Sequence, residues 1–109
     1  MREEIIQQVD ERKLIAIVRS IAPEKCLELA HALKEGGISM MEITFHQADP
    51  GSFADTTRAI SAIANEGEMA VGAGTVMTVE QVHMAADAGA QYIISPDTLE
   101  IVIRKTLEL

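Results

Sequence analysis

The chain has 109 residues, of which 48% are hydrophobic, 24% charged and 3% aromatic, the make-up of one soluble globular domain spanning 1–109. Nine Lys plus Arg stand against 17 Asp plus Glu, a net charge of -8; that balance argues against partners held through phosphate neutralisation or anionic lipid, so neither nucleic acid nor membrane is expected. Cys26 is the only cysteine, which excludes an intrachain disulfide and a multi-cysteine zinc site and fits a reducing, cytoplasmic setting.

Residues 1–13 are charged and amphipathic, without the apolar stretch and cleavage site of a secretory signal. A first strand is expected at 14–18 (LIAIV). Pro23 then opens a helix at the position where proline is tolerated, and Cys26, Leu29, Ala30 and Leu33 recur on one face until Gly36 and Gly37 end the run. The second strand is expected at 40–45 (MMEITF). A second helix follows from Asp49 as cap and Pro50 as first-turn proline, carrying Phe53, Thr57, Ile60 and Ala64 to Gly67.

The third strand is expected at 69–73 (MAVGA), in a stretch that is glycine-rich and far shorter than the roughly 20 residues of a membrane helix. Thr78 and Gln81, spaced as a capping box, start a third helix that runs through Val82, Ala85 and Ala86 to Gly89. A fourth strand is expected at 91–94 (QYII), and a fourth helix from near Asp97 would put Leu99, Val102, Ile103 and Thr106 on one face. Near-continuous apolarity marks the strands as covered on both faces. EGGISMMEITF, NEGEMAVGAG and DAGAQYIIS align as three copies of one helix-to-strand unit. Such repetition belongs to a doubly wound sheet or a (β/α) barrel.

In both architectures ligands collect at the carboxyl ends of the strands. Polar residues fall there four times: Arg19 and Ser20, Glu42 to His46, Gly72 to Thr75, and Ser95 to Asp97. Glu42 stands out, because a carboxylate inside an apolar strand is costly unless paired or protonated, and burial lifts its pKa toward acid/base duty. Alternation sets Met40, Glu42 and Thr44 on one side and Met41, Ile43 and Phe45 toward the helices. A structural pairing of Glu42 with Arg19 is the competing reading.

GAGTV at 72–76 lacks the third glycine of a dinucleotide fingerprint, since Met77 stands there. Gly72 and Gly74 are read instead as letting a ligand or a neighbouring strand approach, with Thr75 offering a hydroxyl. His31, His46 and His83 make no metal-ligand spacing; only His46 sits in a strand-end zone. The methionines and Cys26 read as packing. No cofactor or metal is implied.

The strings IAIVRS (15–20), EGGISMMEITF (35–45), VGAGTV (71–76) and AGAQYIISPD (88–97) resemble, in order and spacing, the 2-keto-3-deoxy-6-phosphogluconate and 4-hydroxy-2-oxoglutarate aldolases. That resemblance implies a (β/α)8 barrel and class I chemistry, in which a lysine forms a Schiff base with a keto acid and cleavage gives pyruvate plus an aldehyde. By the same resemblance Glu42 is the general acid/base, Arg19 lies near a substrate carboxylate or phosphate, and Thr75 contacts the pyruvyl portion. Pro96 joins the substrate-binding set in the turn after strand four. His46 occupies the place where some members have an arginine.

The family's Schiff-base lysine sits in an FKFFPA-like string on strand six, and none of Lys13, Lys25, Lys34 or Lys105 matches it. The resemblance thus covers about the first half of a barrel of roughly 200 residues or more. The expected architecture is a parallel (β/α)4 half-barrel, inactive alone, that binds a small keto acid and either forms a homo-oligomer or takes a complementary half-barrel. A non-catalytic assembly module and a flavodoxin-like ligand-binding domain are the alternatives.

Overall fold

A computed structural model describes residues 2–109 as an α/β fold of three parallel strands and five α-helices. Helix α1 (Arg2–Arg12) is followed by β1 (Ala16–Val18), α2 (Pro23–Glu35) and β2 (Met40–Thr44). A 3-10 turn (Pro50–Ser52) then leads into α3 (Phe53–Glu66), β3 (Ala70–Gly74), α4 (Val79–Ala88) and α5 (Glu100–Glu108).

The strands lie in sequence order, β1-β2-β3, with Ile17 opposite Glu42 and Glu42 opposite Gly72. Parallel neighbours joined by helical crossovers of one hand place every crossover helix on the same face. That face holds the core. Met41, Ile43 and Phe45 of the β2 segment pack there with Val71 and Ala73 of β3, Cys26 and Ala30 of α2, and Ala59, Ile60 and Ile63 of α3. Phe45 meets Phe53 edge to face, with ring centroids 5.2 Å apart. Ile60 is fully buried, and truncating it to alanine would cost about 2–5 kcal/mol.

Helix ends follow local chemistry. Pro23 occupies the first turn of α2, and Gly67 and Gly89 end α3 and α4 at φ of 74° and 101°, a backbone region that a side chain would strain. Thr78 accepts a hydrogen bond from the Gln81 N–H at 3.1 Å, as a capping residue should, but the Gln81 side chain accepts from Met77 N rather than from Thr78. Asp49 does not cap α3 through its side chain; its carbonyl accepts from Ser52, and the 3-10 turn comes between.

The fourth expected strand, 91–94, is not a strand. It makes one parallel bridge, Ala73 to Ile93, with Ile94 N–H donating to Ala73 O at 2.8 Å and Ala73 N–H to Tyr92 O at 3.1 Å. Gln91 N–H turns to Val71 O, which takes it out of the register set by that bridge, so the ladder does not extend. The first strand is also shorter than 14–18: pairing with β2 begins at Ala16, and Leu14 is exposed just after Lys13, whose φ is 66°. In α5, Val102 is buried as expected whereas Ile103 is exposed.

Candidate active site

Strand β2 carries Glu42 at its middle, on the face turned away from the helix-packed core, and only 4% of it is exposed. Alternation along the strand requires this once Met41 and Ile43 point to the helices. The neighbouring positions on β3 are Gly72 and Gly74, and each makes room for a side chain from elsewhere. A Cβ at 74 would stand 2.6 Å from Glu42 Cδ; one at 72 would stand 2.7 Å from Tyr92 Cζ. What approaches these glycines is therefore a carboxyl group from the neighbouring strand β2 and the phenol ring of Tyr92.

Tyr92 lies across Gly72 and its hydroxyl donates to Met41 O at 2.6 Å. Burial, and secondarily the Glu42 carboxylate, push its ionisation well above the ordinary range. Glu42 Oε2 is buried without any hydrogen-bond partner. Burial raises the Glu42 pKa above that of an ordinary carboxylate, and the positive field of Arg19 acts in the opposite sense. The structural pairing with Arg19 is not made: among the described residues no ion pair within 4.0 Å includes Glu42. A buried, unpaired carboxyl with a raised pKa at a strand face is suited to acid/base work.

Thr75 follows β3 directly, one residue beyond the glycine on which Glu42 rests. Its φ is 54°, a left-handed conformation costly for a β-branched residue, by about 1–3 kcal/mol. Ser20, next to exposed Arg19, has the same φ of 54°. Gln47 Nε2 donates to Thr75 O at 2.6 Å, and the Gln47 and Gln81 amides bond to each other. Pro96 is exposed in the turn after the bridge, where Ser95 Oγ donates to Asp97 O.

His46 is placed differently. It lines a cavity of about 250 Å3 with Ser20, Asp49, Asp55 and Thr56, and none of Glu42, Arg19, Thr75 or Pro96 lines it. The structure thus groups the Glu42 carboxyl with Tyr92 and the two glycines, with Arg19 acting on Glu42 electrostatically and Thr75 next in sequence to Gly74. Sequence reasoning missed three residues here: Tyr92 beside Gly72, and Gln47 and Gln81 at the turn after β3. Tyr92 carries a readable signal, since a half-buried phenol needs a hydroxyl partner; Gln81 is masked by its capping role, and Gln47 has no pattern at all.

The remaining expectations concern packing. Cys26 is buried, its thiol pushed up by burial, with Sγ against Ile21 O at 3.4 Å. Met40, Met41 and Met69 are buried, while His31 and His83 lie exposed on helices. Among the described residues no helix is long and apolar enough to cross a membrane.

Comparison with known proteins gives concordant matches. A family model described as KDPG and KHG aldolase matches residues 5–108. The 2-dehydro-3-deoxy-phosphogluconate aldolase of Treponema pallidum is 39% identical over 93 residues, covering 84% of this chain and 41% of the relative. A probable 2-dehydro-3-deoxy-6-phosphogalactonate aldolase of Rhizobium meliloti is 39% identical over 94 residues, covering 86% and 42%. The Legionella pneumophila KDPG aldolase, solved with pyruvate captured as a covalent carbinolamine, superposes with a TM-score of 0.74 at 29% identity, over 87% of this chain and 44% of that one. The chain spans less than half the length of the proteins it matches.

Proposed function

The chain belongs to the KDPG and KHG aldolase family, and from that membership we propose that it carries the acid/base half of a class I pyruvate-aldolase site, with Glu42 as the proton shuttle. The observation that carries this reading is the buried Glu42 carboxyl with its unpartnered Oε2, held on the strand face that the helices leave free. Burial raises its pKa above that of an ordinary carboxylate, the direction an acid/base group needs. Such a group can give a proton to the departing hydroxyl of a carbinolamine and take one as the carbon-carbon bond breaks.

In this reading Thr75 holds the pyruvyl portion, Arg19 and Pro96 contact the substrate beyond it, and His46 bears on which substrate is accepted. The substrate is a 2-keto-3-deoxy-6-phosphogluconate or 4-hydroxy-2-oxoglutarate type keto acid. The nucleophilic lysine lies outside these 109 residues: Lys13 precedes β1, Lys25 and Lys34 are on α2, and Lys105 is on α5. Without the electron-sink imine, Glu42 has no carbanion to form.

The sequential order β1-β2-β3 supports a (β/α)4 half-barrel of one domain, 1–109, over a flavodoxin-like sheet, whose order begins 2-1-3. A second reading, a half-barrel that assembles with another copy or a complementary chain, is favoured by Ile17. This residue is opposite Glu42 on the edge strand and 60% exposed. Light scattering tests it; a monodisperse monomer at micromolar concentration contradicts it.

The catalytic reading is tested by borohydride reduction in the presence of pyruvate. The 109-residue chain should stay unmodified, and a covalent pyruvyl adduct on any of its four lysines would overturn the assignment.

A further inference from the structure

We propose that Gln47 and Gln81 are positioning residues that hold Thr75 in its left-handed backbone and so aim its hydroxyl at the keto-acid site beside Glu42; the functional part of this inference rests on the aldolase reading above.

Thr75 has φ of 54°, where a β-branched residue does not settle by itself. Something must hold it. The segment 75–78 leaves β3 and enters α4; besides the backbone bond from Val76 N–H to Ile94 O at 3.2 Å, two side-chain amides hold it. Gln47 Nε2, from the loop after β2, donates to Thr75 O at 2.6 Å. Gln81 Oε1 accepts from Met77 N–H at 2.8 Å. Gln81 Nε2 donates to Gln47 Oε1 at 2.8 Å, and Gln47 Nε2 is also 3.3 Å from Gln81 Oε1, so the two amides lock each other.

The pair is therefore a bridge from the loop after β2 to the two peptide groups on either side of Val76, through Thr75 O and Met77 N–H. Gln81 is 2% exposed, and a primary amide is buried this far only when its donors and acceptors are met. A capping role alone needs the Gln81 backbone N–H, which Thr78 accepts; the side chain is left free for this second task. Glu42 lies over Gly74 and Thr75 is the next residue, so the backbone that the bridge holds is the one that continues directly from beneath the carboxyl. The bridge thus couples the loop that begins with His46 to the strand end that carries the hydroxyl.

The test uses the labelled 109-residue chain in solution, with pyruvate as the probe. Gln47→Glu keeps the shape but replaces the donor to Thr75 O by an acceptor. Gln81→Met removes both amide contacts at similar volume. In the wild-type chain, a strong intraresidue amide-to-Hα NOE at Thr75 should report positive φ, and pyruvate should shift the Thr75 and Glu42 signals. Gln47→Glu should lose that NOE and weaken pyruvate binding at least fivefold, with the Ile60 and Val82 core signals unchanged; Gln81→Met should do both to a smaller degree.

A purely structural role would lower the melting temperature of both variants while Thr75 kept its NOE and its pyruvate response within twofold, and that result overturns the proposal. If one variant does not fold, the other decides. A wild-type chain that keeps the NOE but ignores pyruvate contradicts the aldolase reading, and the Thr75 backbone comparison then decides the clamp alone.

Discussion

The carboxyl group of Glu42 occupies the space that a side chain at Gly74 would fill, with Cδ 2.6 Å and Oε1 3.0 Å from where that Cβ would stand. Glycine at 74 is thus a condition for the buried position of the carboxyl, and through it for the raised pKa. Gly74→Ala should push the flexible end of Glu42 toward solvent. Its pKa, followed by carboxyl 13C shifts, should fall toward the ordinary carboxylate value. Stability should change by only about 1 kcal/mol, because a side-chain end can move where a backbone cannot. A Glu42 pKa unmoved by Gly74→Ala would refute the dependence.

Gly72→Ala should behave in the opposite way. Tyr92 is a rigid ring tethered by its hydroxyl to Met41 O at 2.6 Å, so a methyl at 72 cannot be avoided by a simple rotation. Overpacking of this kind costs about 1–3 kcal/mol, read as a lower urea midpoint. In a Tyr92→Ala background the same substitution should cost much less, the signature of direct coupling in a double-mutant cycle.

These two glycines also show how far the sequence could be read. Their spacing announced close approach at 72 and 74, but not by what, because the approaching groups come from β2 and from a segment 20 residues later. Glu42 was legible: a carboxylate in an apolar strand has few structural excuses. The strand at 91–94 was misread, since apolarity does not reveal that Gln91 would leave the register. His46 was placed at the right strand end, but the face it turns to depends on tertiary packing around the loop.

Stability should depend on pH through Glu42. Its folded pKa is raised, so between the ordinary carboxylate value and the folded value the native state holds more protons than the unfolded chain. Stability from this group is therefore full at low pH and lost as pH rises through the folded pKa. Glu42→Gln removes the buried charge while keeping the shape. Its melting temperature should exceed that of the wild type at pH 8 by a few degrees, on the order of 1 kcal/mol, and the gap should close toward pH 4. A gap that widens on acidification would contradict the burial of the carboxyl.

His31 offers a surface counterpart. Its ring bonds to Glu66, and that hydrogen bond, with the charge of Glu66, raises its pKa. Glu66→Gln should lower the His31 value in an NMR titration. The pair favours folding below the unfolded histidine pKa, and the benefit fades as pH rises through the folded one. An unchanged His31 titration in Glu66→Gln would show that the contact is not kept in solution.

The central claim is that this chain supplies the proton shuttle and not the nucleophile. It is tested most directly by exchange of the pyruvate methyl protons in D2O, with the chain alone and mixed with the second half of a full-length relative. No exchange is expected from the chain alone. The mixture should exchange, and Glu42→Gln should slow it at least about 100-fold, the scale of a lost general acid/base. Exchange by the chain alone, or a mixture in which Glu42→Gln exchanges at the wild-type rate, would contradict the account.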